Sequence, residues 1–226
     1  MKSELLQTLK TSTISLLMLS LLFVIVEPAM SDAASASSQF TETLSVTSEI
    51  SFLVSGSNLT LSPSLAGITG GTANGQTSVR VLTNNATGYS MTLTASSSLG
   101  MIGNSQGGTI PAYIPAVGTV ADYTFTAPAN TARFGYTVEA STTADTAQAF
   151  LDNGSNTCNT GATNGTDTCW LNASTSAVTI INRTTETEAS GSTSTIKFRA
   201  VINSNPVPAI PQDTYVATTT LTATTN

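Results

Sequence analysis

The chain has 226 residues and no histidine, which removes much of the chemistry a hydrolase or metalloprotein would use. Neither a Ser/His/Asp nor a Cys/His arrangement can be built, and imidazole metal sites are excluded. Carboxylates, two cysteines and one tryptophan remain. Glu186 and Glu188 stand two apart, so on a strand they would share a face and could act as an acid/base pair on a glycosidic bond. A solvated acidic turn has the same spacing and is the preferred reading, so no catalytic residue is assigned. The run Asp152-Asn153-Gly154-Ser155-Asn156, with Asp167 further on, offers oxygen ligands of the kind Ca²⁺ takes. Asp152, Asn153 and Asp167 are therefore the candidate metal ligands, although the EF-hand spacing and its bidentate Glu are missing. An Asn/Gly-rich loop is the favoured description, and no other cofactor is expected.

Cys158 and Cys169 enclose ten residues rich in Asn, Thr and Gly. A disulfide is the expected state, worth about 3 kcal/mol for a loop of that length in the chain-entropy model. Two thiols without histidine cannot complete a soft metal shell. Trp170 follows directly and has two uses: an exposed indole could stack on a pyranose ring as a glycan contact, or it could pack on the disulfide, which is preferred. Lys197 is the only lysine beyond residue 10. It alternates with Ile196 and Phe198, which places it on the solvent face and argues against a buried isopeptide bond to an asparagine. Asn-x-Ser/Thr triplets at Asn58, Asn85, Asn153, Asn164, Asn172 and Asn182 are no more than a Thr-rich chain contains anyway.

These residues need a scaffold, and the composition specifies its kind. Ser and Thr are close to a third of the chain, hydrophobic residues 40% and charged residues 9%. That suits β-structure, and the hydrophobic content argues against disorder. The formal charge is -6, and beyond residue 10 the basic side chains are Arg80, Arg133, Arg183, Lys197 and Arg199. No nucleic-acid groove can be lined with so few.

Lys2 and Lys10, the apolar stretch Ile14 to Val26 and the small residues after Pro28 read as a signal peptide over residues 1–31. Cleavage after Ser31, Ala33 or Ala36 fits equally, and an uncleaved anchor, the one membrane contact expected, is the alternative. Residues 32–39 read as a flexible lead and 40–226 as a single all-β domain, an antiparallel β-sandwich of eight to ten strands with a disulfide-closed loop at 158–169.

The strands follow from period-two alternation. Phe40, Leu44, Val46, Ile50, Phe52 and Val54 share one parity, giving either one long strand or two with a kink near Thr47-Ser48. Val79 to Thr83 and Tyr89 to Ala95 flank the turn Asn84-Asn85-Ala86-Thr87-Gly88 and predict a hairpin. Asp122 to Thr126, Arg133 to Ala140 and Ala177 to Ile181 add strands. Ile196, Phe198, Ala200 and Ile202 predict another, and Tyr215 to Ala223 its hairpin partner after a Pro-rich loop. Thr92-Leu93-Thr94-Ala95 and Thr220-Leu221-Thr222-Ala223 are identical, which hints at an internal duplication.

The segment Asn84 to Thr94, the triplet Phe134-Gly135-Tyr136 and the ending Pro211-Gln212-Asp213-Thr214-Tyr215 resemble secreted bacterial β-sandwich surface proteins, nearest to WxL-type cell-wall proteins and to pilin-like or spore-coat-U-like proteins. A WxL protein carries two Trp-x-Leu motifs, whereas here Trp170 is followed immediately by Leu171, and no sorting signal or hydrophobic C-terminal tail is read. The resemblance implies an Ig-like fold, an extracellular or cell-surface location, adhesion or a structural role without enzymatic activity, and as partners a cell-wall or surface glycan or further copies in a fibre. In the fibre case the run from Phe40 to Val54 would complete a neighbour's sheet.

Overall fold

The structure, a computed structural model, describes residues 35–226. The expected signal peptide, residues 1–31, and the first residues of the expected lead lie outside the described residues. Two units are distinct, residues 1–45 and residues 46–226. In the first, residues 35–45 form no strand, and Phe40 and Leu44 are exposed.

The second unit contains strands β1 (Ile50–Val54), β2 (Gly71–Thr83), β3 (Tyr89–Ala95), β4 (Met101–Gly103), β5 (Thr109–Ile110), β6 (Ala132–Ala140), β7 (Val178–Arg183), β8 (Ser192–Ile202), β9 (Tyr215–Val216) and β10 (Thr219–Thr225). They form antiparallel sheets in the orders β1-β2-β8-β6, β10-β3-β7 and β5-β4-β9. In β3, Tyr89, Met91, Leu93 and Ala95 are buried and the residues between them half-buried. Each large side chain so buried stabilises the fold by about 1.5–3 kcal/mol relative to exposure. On β8, Ile196, Phe198, Ala200 and Ile202 do the same. They share one core with Val79 and Val81 of β2, Phe134, Tyr136 and Val138 of β6, and Ile180 and Ile181 of β7. The inward faces of the two larger sheets therefore close on each other, as in a β-sandwich. Ile180 and Ile181 are consecutive yet both buried, because the register slips between Met91 and Thr92 opposite them.

Neither predicted hairpin forms. β2 and β3 lie in different sheets, and so do β8 and β10. Asn84–Gly88 is an arch from one sheet to the facing one, so Val79 and Val81 oppose the β3 row across the core instead of lying beside it. Gly88 (φ 77°) sits against the Arg183 carbonyl, where a Cβ would collide. The two Thr-Leu-Thr-Ala segments pair with each other antiparallel, Leu221 opposite Leu93.

The run from Phe40 to Val54 is strand only from Ile50 on, and Val46 is exposed like Phe40 and Leu44. Just before β1, the Asn84 side chain takes the place of a neighbouring strand: its Oδ1 accepts from Glu49 N at 2.7 Å and its Nδ2 donates to Thr47 O at 3.1 Å. Asp122–Thr126 is irregular apart from a bridge between Asp122 and Trp170, with Phe125 turned onto the Trp170 ring. The last predicted strand is broken at Ala217-Thr218, and β9 joins β4 in the small sheet.

Candidate functional site

β8 presents Lys197 and Arg199 on the face opposite its core residues. The disulfide-closed loop lies over that face, with the Cys158 and Cys169 Cα atoms 5.6 Å apart. Lys197 Nζ donates to Glu139 Oε1 at 2.6 Å and Asp167 Oδ1 at 3.1 Å. Arg199 Nε donates to Asn74 Oδ1 at 2.7 Å, and its guanidinium stands 4.3 Å from the centre of the Trp170 ring and 3.6 Å from Asp167 Oδ2. Trp170 Nε1 donates to Asp167 O at 2.9 Å. Phe125 meets the indole edge-on, and beyond it the Tyr113 hydroxyl donates to Asp122 Oδ2 at 2.6 Å.

One expectation changes here. Lys197 is on the outer face, but the loop leaves only 16% of its side chain exposed. Burial by itself would lower its pKa; the bonds to Glu139 and Asp167 outweigh that and hold it above the ordinary value. It is an ammonium ion gripped by two carboxylates, which is no nucleophile for an isopeptide bond. Trp170 is 1% exposed with Arg199 on its ring, so the indole has no free face for a sugar, in keeping with the packing reading. Burial also pulls the Arg199 pKa down, Asp167 opposing it.

Beside this cluster, Asn74, Gly75, Gln76, Asp167, Trp170 and Lys197 line an open groove of about 340 Å³. Phe198 completes its lining, and Asn74, Asp167 and Lys197 are already bonded to Arg199 or to one another.

The candidate calcium ligands are engaged by three different sets of donors. Asp152 Oδ1 accepts from Gly154 N at 2.8 Å and Thr163 Oγ1 at 2.9 Å, and its Oδ2 from Gly165 N at 3.1 Å. Asn153 Oδ1 accepts from the amides of Ser155 and Thr157. Asp167 faces Lys197 and Arg199. Among the described residues no three Cys, Asp or Glu side chains are grouped to hold a metal ion. Glu186 and Glu188 are exposed in the loop between β7 and β8, so the shared strand face required of a catalytic pair is missing.

Other polar centres were not legible in the sequence. Asn164, which there is only part of a glycosylation triplet, ties the loop to the sandwich: its Nδ2 donates to Val138 O and Phe150 O, and its Oδ1 accepts from Ala140 N and the Thr146 hydroxyl. Asp145 and Arg183 form a largely buried ion pair at 2.7 Å. Among the described residues, the hydroxyls of Tyr89, Tyr136 and Ser194 are buried with no hydrogen-bond partner. Comparison with protein-family models, curated proteins and solved structures finds no match to the chain.

Proposed function

We propose that this chain is a non-enzymatic, exported bacterial cell-surface protein, an Ig-like or WxL-like β-sandwich that serves as a structural or adhesive element of the envelope and meets a cell-wall or surface glycan. The observation that carries the reading is the loop closed by Cys158 and Cys169, a staple that persists in an oxidising compartment. It agrees with the basic start and apolar stretch Ile14 to Val26, which have the composition of an export signal. The charged side chains around the loop support a structural role, because Lys197, Arg199, Glu139 and Asp167 neutralise one another.

The test is expression of the full chain in a bacterial host, with N-terminal sequencing and protease accessibility on intact cells. The expected product begins after Ser31, Ala33 or Ala36, is accessible from outside and has no free thiol. An unprocessed cytosolic product with two free thiols overturns the reading.

A second reading, a pilin-like fibre subunit assembled by donor-strand exchange, draws on one observation. Phe40, Leu44 and Val46 are 81%, 87% and 79% exposed immediately before β1. In this reading the run adds a strand to a neighbour. Light scattering and negative-stain images distinguish the two: filaments that disappear when all three residues are changed to Ser support the fibre, and a chain that forms none excludes it.

A further inference from the structure

The strands at the margins of the two larger sheets are treated differently. Phe134 N on β6 donates to Pro111 O, Tyr113 N donates to Phe134 O, and Tyr136 exchanges both backbone bonds with Leu171. On β7, Ile180 O accepts from Ala147 N, and Ile181 is bridged to Thr146. β1 is short, and its register slips between Phe52 and Val54. β10 has none of these protections. It pairs with β3 along its whole length, flanked by Ser96 N to Thr218 O at 2.9 Å and Asn226 N to Gly88 O at 3.2 Å. These flanking bonds fix the parity: the even-numbered peptide groups of β10 face β3, and those of Thr219, Leu221, Ala223 and Thr225 point outward. Among the described residues those outward groups have no backbone partner.

Natural edges are blunted by charge, proline or a bulge. Thr219-Thr220-Leu221-Thr222-Ala223-Thr224-Thr225 contains no charge and no proline, and its register with β3 is unbroken. It also reads nearly the same in both directions about Thr222, with only Leu221 and Ala223 exchanging. We infer that β10 pairs antiparallel with β10 of a second copy about a two-fold axis at Thr222. This register sets Leu221 against the partner's Ala223, a large side chain beside a small one, and Thr219 against the partner's Thr225. Every outward N–H and C=O of the strand is then satisfied. A slip by one residue sets outward groups against inward ones and breaks the ladder. The interface is isologous and closed, and it joins two three-stranded sheets into one.

The N-terminal run is the poorer occupant of this edge. Glu42 shares the parity of Phe40, Leu44 and Val46, so pairing there would turn a carboxylate toward the half-buried row Leu221 and Ala223.

The full chain is examined by sedimentation velocity over a concentration series, and a monomer–dimer equilibrium is expected. Ala223→Pro removes one outward N–H and no bond to β3, so the monomer keeps its circular dichroism spectrum and melting temperature. Its association weakens roughly tenfold or more. Thr222→Cys places a thiol on the axis, where facing Cα atoms of a non-hydrogen-bonded pair lie about 4.5 Å apart. It cross-links on mild oxidation; Thr220→Cys alone does not, but a mixture of Thr220→Cys with Thr224→Cys does. A chain that stays monomeric at every concentration overturns the inference. So does cross-linking of Thr220→Cys alone as fast as that of Thr222→Cys, or association abolished by changing Phe40 and Leu44 to Ser while Ala223→Pro has no effect.

Discussion

Asp152 is buried, and both of its carboxylate oxygens accept bonds from its own loop. Burial by itself would raise its pKa, but the donors from Gly154, Thr163, Gly165 and Thr168 together hold it below its ordinary 3.8. Asp213 is held low in the same direction by the amides of Gln106, Ser105 and Thr214. A carboxylate with a depressed folded pKa stabilises the fold fully above its unfolded value, and that contribution is lost as the pH falls through the lower folded value. Thermal melts should therefore be flat near neutrality and fall below pH about 4. Asp152→Asn should cost about 1–3 kcal/mol at neutral pH, because some amides lose their acceptor, and should show a shallower acid decline. An acid decline unchanged in Asp152→Asn would assign the dependence to other carboxylates. The sequence identified this stretch as an oxygen-rich loop but left its purpose open, since a calcium loop and a self-satisfied turn draw on the same residues. Only the direction of the oxygens separates them, and Asp152 points at amides.

At the scale of elements, alternation marked the buried faces of β3 and β8; on β6 Gly135 and Thr137 of the other face are buried too and Ala140 is half-buried, and neither expected hairpin forms. A hairpin and an arch bury the same faces. They differ in which strand accepts the backbone bonds, and period-two patterning carries no information about that. Asn164 was missed for a related reason: its partners Val138, Phe150, Ala140 and Thr146 are 14 to 26 residues away in the chain. The loop that Asn164 ties down also positions Asp167 and Trp170 over β8, so its closure should matter beyond the loop itself. Replacing Cys158 and Cys169 with Ser should lower stability by about 3 kcal/mol. It should also speed amide exchange at Lys197 and Arg199, which pair with Asp167. Exchange rates on β8 that match the parent protein would mean the ion pairs hold the loop without the covalent link.

In the unit formed by residues 46–226, Ile50 pairs with Thr83, and the Asn226 amide bonds to Gly88. The chain therefore enters and leaves at the same end, around the Asn84–Gly88 arch. The Asn226 side chain reinforces this by donating to Thr87 O and Arg183 O. The consequence is mechanical. Tension applied between the two ends of the unit pulls β1 from β2 and β10 from β3 at their adjacent tips, opening each ladder one rung at a time. Shear across every rung together, which resists force best, does not arise in that direction. A copy tethered by one end only carries the load in its tether and leaves both ladders unstressed.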